Sequence, residues 1–158
     1  YTKALKINPK NSNLYSNCAE CKIELEDYQE AISDYNKAIE FNPKNGDFYR
    51  RRGEIKSEIR DQEGAIYDFT KALEINPKDD RSYNSRAQEK RYLLDDDNAL
   101  IDYTKAIEVK PEEMDYYFNR GHCYKHLGDL KGACEDWKKA VELGNEDAAK
   151  LLKENCEC

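Results

Sequence analysis

The 158-residue sequence has few of the residues that end strands and form tight turns: seven Gly and four Pro. A β-sandwich or barrel needs a turn roughly every 8–12 residues, so the composition disfavours those folds. No apolar run reaches the length of about 18 residues that a membrane-spanning helix needs, and we expect no membrane partner. Positive charge is also scarce, because 26 Lys and Arg face 33 Asp and Glu, for a net charge of −7. Such a chain repels a phosphate backbone on average, so we expect no nucleic-acid partner.

The hydrophobic share of 39% and the charged share of 37% favour amphipathic elements. A chain of this length buries enough surface to fold without a disulfide framework, so the six Cys leave the compartment open, with the cytoplasm as the default expectation. The chain starts at Tyr1 without an initiator Met and with a helical pattern already under way, so we expect it to be a fragment.

The four prolines reveal an internal repeat. Each lies 34 residues from the next, and three stand in the same Asn-Pro-Lys triplet. A fixed period of this kind indicates a repeat architecture, in which each unit needs its neighbours to bury its apolar face. The period predicts four full repeats, a preceding truncated repeat and a C-terminal capping helix with a tail; their ranges are 12–45, 46–79, 80–113 and 114–147, then 1–11 and 148–158.

Residues of one type return at the same offset in each repeat, and their spacing predicts two helices. Ala31, Tyr35 and Ala38 have the spacing of one helical face, and small side chains allow two helices to approach closely. Proline then ends the second helix because it lacks the N–H. Asp27 and its equivalents precede that helix, where a carboxylate can cap free amides. The recurring sets are Ala19, Gly53, Ala87, Gly121; Ala31, Ala65, Ala99, Ala133; Tyr35, Phe69, Tyr103, Trp137; Ala38, Ala72, Ala106, Ala140; and Asp27, Asp61, Asp95, Asp129.

With this period and these sets of residues, the chain resembles the tetratricopeptide repeat family over essentially all of residues 1–147. The resemblance implies an all-α, right-handed superhelical solenoid of antiparallel helix pairs, whose first helices line a concave groove. It also implies a non-catalytic protein-interaction scaffold that needs no cofactor and binds a protein or an extended peptide. One departure is that Lys22, Lys56 and Lys90 replace the usual first-helix Tyr, which appears only as Tyr124. Glu20 and Glu54 stand where family members that hold chaperone tails carry Asn, so we expect no binding of such tails.

The predicted groove is polarised, with acids in the first repeat and arginines in the third. Because Arg pairs with carboxylates bidentately, we hypothesise that an acidic or C-terminal segment binds the arginines, with Tyr92 and Phe118 as apolar anchors. The alternative is a solvated face whose charges only keep the array soluble. The residues assigned to peptide binding are Arg50, Arg51, Arg81, Asn84, Arg91, Tyr92, Phe118, Asn119 and His122.

A second charge pattern runs between the two helices of each repeat. One column of the first helix holds arginines, and one column of the second helix holds aspartates. We hypothesise that they pair as a repeated structural brace, the alternative being that both reach solvent. The two columns are Arg52, Arg86, Arg120 and Asp34, Asp68, Asp102, Asp136.

A metal- or thiol-dependent site around His122, His126 and Cys123 is the alternative function. The i,i+4 spacing puts both imidazoles on one turn of a helix, where they can share a metal, but Cys123 lies about 100° round the helix, toward the core. The favoured interpretation is ordinary groove residues, with no metal bound.

The other cysteines give weak signals. Cys18 and Cys21 form a C-x-x-C inside a predicted helix, and we expect Cys18 to fill a core column. Cys123 and Cys134 face each other across the last helix pair, as two reduced thiols or as a bonded pair. Cys156 and Cys158 are expected in a frayed tail, open to intermolecular oxidation. We also expect that the truncated N-terminal end exposes apolar surface that a second copy covers, forming a homodimer.

Overall fold

A computed structural model describes residues 8–156, and within that range every regular element is a helix. The helices are α1 (Ser12–Ile23), α2 (Tyr28–Phe41), α3 (Gly46–Glu58), α4 (Gln62–Ile75), α5 (Asp80–Tyr92), α6 (Asp96–Val109), α7 (Met114–His126), α8 (Leu130–Glu142) and α9 (Glu146–Asn155). The predicted all-α class is confirmed. In the described part of the chain, no helix combines the length and the apolar character needed to cross a bilayer.

The helices belong to two compact units, Tyr1–Pro77 (unit 1) and Lys78–Cys158 (unit 2). Within unit 1, α1 packs on α2, α2 on α3 and α3 on α4. Within unit 2, α5 packs on α6, α6 on α7, α7 on α8 and α8 on α9. Short turns reverse the chain inside each helix pair, as the repeat pattern predicts. The predicted homodimer contact depends on the N-terminal segment, of which residues 1–7 lie outside the described range.

Small residues make the close helix contacts, as predicted. The twelve Ala and Gly of the three small columns are all buried, and so are Tyr35, Phe69, Tyr103 and Trp137. The glycines face the aromatic rings most closely: a Cβ on Gly53 would lie 2.8 Å from the Phe69 ring, and one on Gly121 would lie 2.5 Å from Trp137 Nε1. Cores packed to crystal-like density leave no room for that added carbon.

The predicted Asp caps form in two of the four second helices. Asp61 accepts from the N–H of Gly64 and Asp129 from that of Gly132. Asp27 makes no side-chain cap, and Asp95 accepts from the side-chain amide of Asn98 instead of from a backbone amide. The prediction was therefore wrong for Asp27 and Asp95. The third helical position is Gly in the two capped helices and a longer side chain in the others, and in α6 that side chain is Asn98, whose amide takes up the Asp95 carboxylate.

The C-terminal helix α9 covers the apolar end of unit 2. Asn145 caps it by accepting from the N–H of Ala148, and Leu151 and Leu152 pack against the cluster around Trp137. Cys123 is a buried free thiol, which agrees with the alternative of a reduced core cysteine. Cys134 is bonded to Cys156, so the expectations of a reduced Cys134 or a Cys123–Cys134 bond, and of a Cys156 in a frayed tail, were wrong. The bond forms because α9 folds back onto α8; Cys158 lies outside the described range.

Candidate functional site

The arginine–aspartate brace is confirmed in three helix pairs. Arg52 donates to both carboxylate oxygens of Asp68, at 2.8 Å from Nε and 2.5 Å from Nη2. Arg86 holds Asp102 in the same bidentate way, and Arg120 holds Asp136. Each guanidinium also lies over a tyrosine ring, at 5.7–5.8 Å from the centroids of Tyr49, Tyr83 and Tyr117. These arginines therefore join the helices of a pair and are not presented to a ligand.

The lysines that replace the usual tyrosine complete the brace. Lys56 Nζ lies 2.9 Å from Asp68, and Lys90 Nζ lies 2.8 Å from Asp102. In the first pair, Lys22 Nζ lies 2.7 Å from Asp34, where the arginine position is taken by Cys18. Cys18 is half-buried, so the prediction that it fills a core column was wrong.

In unit 1, the two predicted groove arginines are held by carboxylates of the same unit. Arg51 donates to Glu20 at 2.8 Å from Nε and to Glu54 at 2.6 Å from Nη1. Arg50 lies 2.6 Å from Glu54 and 3.0 Å from Asp47. Burial tends to raise the pKa of the Glu20 carboxyl, but its hydrogen bonds with Arg51 and with the Tyr35 hydroxyl lower it overall. Carboxylates of unit 1 thus already neutralise both arginines on the face shared by α1 and α3.

In unit 2, helices α5 and α7 share a face that is open. The amide of Asn119 donates to Asn84 across the two helices at 3.3 Å, and the hydroxyl of Tyr116 donates to Asp80 at 2.6 Å. Beside these contacts lies a cavity of about 260 Å³ lined by Gln88, Arg91, Tyr92 and Asn119. The structure therefore brings Asn84, Arg91, Tyr92 and Asn119 of the predicted set together on one face.

The cations on the α5–α7 face have fewer close carboxylate partners than Arg50 and Arg51 have in unit 1. Arg91 Nε lies 3.9 Å from Asp96 Oδ1, which is beyond hydrogen-bond distance. Arg81 is exposed near the start of α5. Lys125 lies over the ring of Trp137, with its Nζ 5.9 Å from the centroid. A carboxylate entering this face meets positive charge that its own unit does not fully neutralise.

The two predicted apolar anchors differ in exposure. Tyr92 is 74% exposed at the end of α5, so its ring is free to pack on a partner. Phe118 is half-buried against the Trp137 cluster, where its ring meets that of His122 edge-on at 4.7 Å. His122 in turn lies 5.6 Å from the Trp137 ring. Burial lowers the pKa of His122, and the nearby cations Arg91 and Lys125 lower it further.

The two histidines do not converge on a common point. His122 packs between Phe118 and Trp137, whereas His126 Nδ1 lies 2.7 Å from Asp96 Oδ2. In the part of the chain that the structure describes, no group of three or more His, Cys, Asp or Glu could hold a metal ion. Burial raises the pKa of the Cys123 thiol to about 12, so it stays protonated and is a poor nucleophile. The metal- or thiol-dependent alternative has no geometric support.

Sequence reasoning missed the carboxylates that decide which arginines are available. Glu20 and Glu54 were identified only as repelling acids, and Asp96 was not singled out. Asp96 is buried at the start of α6, whereas the equivalent positions of the other pairs hold Tyr28, Gln62 and Leu130. An acid where other repeats carry uncharged residues was the available signal.

Comparisons with known proteins agree with this architecture. Residues 12–45 and residues 114–147 each match a family model described as tetratricopeptide repeat. The chain is similar to the crystal structure of MamA, at 24% identity and a TM-score of 0.87 over 95% of this chain and 87% of that chain. It is also similar to YrrB, described as a TPR protein with an unusual peptide-binding site, at 22% identity and a TM-score of 0.84 over 98% of this chain and 80% of that chain.

A third similar structure is the Arabidopsis OM64 TPR domain, at 22% identity and a TM-score of 0.71 over 73% of this chain and 96% of that domain. No curated protein matches the chain. At such identities the likeness establishes the fold, and the predicted all-α fold of tetratricopeptide-repeat type is confirmed.

Proposed function

We infer that this chain, which belongs to the tetratricopeptide repeat family, is a protein-interaction scaffold whose α5–α7 face in unit 2 binds an extended segment with an acidic side chain. Family members bind protein or peptide partners and are generally not enzymes. We propose in addition that residues 46–79 and 80–113 are repeats of the same kind as the two matched ranges. The binding assignment goes beyond the family and depends on the charges of the two faces.

The observation that carries the proposal is the contrast between Arg51 and Arg91. Arg51 already has two carboxylate partners, Glu20 and Glu54, at hydrogen-bond distance. A ligand carboxylate would have to displace them from charge-assisted hydrogen bonds that already satisfy the guanidinium. Both arginines line a cavity, but Arg91 lies 3.9 Å from its only carboxylate neighbour among the described ion pairs. We therefore assign Arg50 and Arg51 a structural role and place the carboxylate of the ligand at Arg91.

The remaining residues of the face suit an extended backbone. Asn84 and Asn119 are already oriented by their mutual hydrogen bond, and an amide can both donate to and accept from a peptide group. The exposed ring of Tyr92 offers apolar area beside the charge, and aromatic residues of this kind are enriched at binding hot spots. Arg81 supplies a second cation, and Phe118 and His122 pack edge-on against each other on α7. YrrB is described as having a peptide-binding site, which supports a peptide as the ligand class.

The test is a peptide array read by fluorescence anisotropy. It consists of ten-residue peptides with Glu or Asp at varied positions beside Leu or Phe, and each peptide is also made with Gln or Asn in place of the acid. We expect the acidic peptides to bind and their amide versions to bind more weakly. Because a hydrogen bond to a charged group contributes about 1.5–3 kcal/mol, Arg91→Gln should weaken binding by about tenfold or more.

Arg51→Gln is the matched control, since it removes an arginine that we assign to structure. Circular dichroism confirms that each variant is folded before binding is compared. Equal losses in both variants, or a greater loss in Arg51→Gln, would contradict the assignment to unit 2. Equal binding of acidic and amide peptides would contradict the proposed ligand chemistry.

A further inference from the structure

We propose that Asp96 and His126 form a proton-controlled counterion for Arg91, so that an acidic ligand binds the α5–α7 face more tightly when His126 is protonated. The inference rests on the proposed function for the place where the ligand binds. It adds two positioning residues that act through Arg91, and it makes the affinity depend on pH.

The geometry places one buried carboxylate between two basic groups. The Asp96 side chain is only 7% exposed, and its Oδ2 lies 2.7 Å from His126 Nδ1. Its Oδ1 is buried and accepts no hydrogen bond within the described structure, while Arg91 Nε lies 3.9 Å away. The His126 ring is 63% exposed, so it is open to solvent. Asp96 thus connects a solvent-accessible base to the cation that lines the cavity.

The positive charge that Arg91 offers a ligand depends on whether Arg91 or His126 neutralises the Asp96 carboxylate. When His126 is neutral, Arg91 is the cation that offsets the buried Asp96 carboxylate, and the three groups together carry no net charge. When His126 is protonated, it forms an ion pair with Asp96, and the positive charge of Arg91 remains for the ligand. Linkage is reciprocal, so an acidic ligand that binds at Arg91 also favours proton uptake by His126.

Other titratable and charged groups also surround Asp96, His126 and Arg91. Burial raises the pKa of Tyr103 on α6 and of Cys123 on α7, so both stay neutral between pH 5 and 8. Lys125 on α7 lies over the Trp137 ring, 5.9 Å from its centroid. His122 on α7 also faces Arg91, and its pKa is lowered by burial and then by Arg91 and Lys125. It is the one other group that could add a pH dependence.

This arrangement is peculiar to one place in the chain. In the other helix pairs, Tyr28, Gln62 and Leu130 stand at the position of Asp96. At the position of His126 the other pairs have Glu24, Glu58 and Tyr92. A buried acid with a histidine partner is therefore not a general requirement of the repeat, which fits a role at this face.

The experiment has a binding arm and a ligand-free arm. The probe is the tightest acidic peptide of the array, together with a version in which cysteic acid replaces the acid, because a sulfonate stays ionised throughout the range. One unit charge acting over several ångströms in a screened, partly buried site changes affinity by roughly five- to tenfold. We expect wild-type protein to bind both probes tighter by about that factor at pH 5.5 than at pH 7.5.

Three variants distinguish the roles of His126, His122 and Asp96 in the pH dependence. His126→Gln should bind with little pH dependence, whereas His122→Gln, which removes the chain's other histidine, should keep the dependence. Asp96→Asn should bind at pH 7.5 as tightly as the wild type does at pH 5.5, because the competing carboxylate is gone. A purely structural role of Asp96 predicts the opposite, weaker binding at both pH values.

In the free protein, ¹⁵N NMR should show the Arg91 Nε resonance shifting with the titration of His126. The inference is overturned if Arg91 does not follow His126, if His126→Gln keeps the wild-type pH dependence, or if Asp96→Asn weakens binding at pH 7.5. If no acidic peptide binds at either pH, the proposed function fails. The NMR arm then decides by itself whether the Asp96–His126–Arg91 coupling exists.

Discussion

Replacing Asp68 with Asn should destabilise the protein much more than the same change at Asp34. Asp68 is fully buried and receives Arg52 at 2.8 and 2.5 Å and Lys56 at 2.9 Å. An Asn has the same shape but no charge, so two cations that are 13% and 17% exposed lose their counterion. Asp34 has the same place in the preceding helix pair but holds one lysine, Lys22, which is 29% exposed.

The magnitude follows from burial and from the number of partners. Breaking a buried ion pair by removing one partner costs about 3–5 kcal/mol, and the amide oxygen of Asn keeps part of one hydrogen bond. We therefore expect Asp68→Asn to lower the free energy of unfolding by about 3 kcal/mol. For Asp34→Asn we expect about 1 kcal/mol, which is the upper range for a partly exposed pair.

The assay is urea denaturation followed by circular dichroism at 222 nm, on both variants and the wild type in the same buffer. The midpoint should fall in both variants, with the larger shift in Asp68→Asn. Equal shifts would refute the argument that the brace gains its strength from two mostly buried cations. A loss below about 1 kcal/mol for Asp68→Asn would show that the protein relaxes to solvate Arg52 and Lys56.

Three further predictions concern the C-terminal unit. Cys156→Ser should lower the free energy of unfolding by about 3 kcal/mol, because the disulfide closes a loop of 22 residues. A reducing agent should abolish this difference between the variant and the wild type. Cys21→Ser, at an exposed free cysteine, should leave the free energy of unfolding unchanged. Gly121→Ala should cost about 1–3 kcal/mol by overpacking, because the new Cβ would lie 2.5 Å from Trp137 Nε1; unchanged fluorescence of this single Trp and an unchanged melting temperature would oppose it. The pKa of His122 is lower in the folded protein than its ordinary value of 6.5, so neutral His122 contributes to stability above pH 6.5. That contribution is lost as the pH falls below 6.5, because the unfolded chain then binds the proton more readily. In melting curves from pH 7.5 to 5, His122→Gln should therefore lose less stability than the wild type.

Whether a contact could be predicted from the sequence depends on whether it recurs in each repeat. The Ala columns and the brace were predictable, because a fixed period converts one helix-pair geometry into many copies. For Arg52 and Asp68, the same separation along the chain recurs in each brace, so one contact implies the others. The caps show the limit: Asp27 and Asp61 share a column, yet only Asp61 accepts a backbone N–H.

The sequence by itself determined the helical class, the two-helix repeat, the small and aromatic columns and the positions of the brace. These features recur every 34 residues, so the apolar face of each helix pair must pack against its neighbours in the same way in each repeat. Only the tertiary structure decided which arginines are held at hydrogen-bond distance by carboxylates of their own unit. Arg51 and Arg91 both looked like groove cations, but their carboxylate neighbours, Glu20 and Asp96, come from other helices at different distances. The same holds for Cys134 and Cys156, whose pairing depends on how α9 packs on α8. Contacts between helices that break the repeat are set by three-dimensional packing, which no periodic pattern encodes.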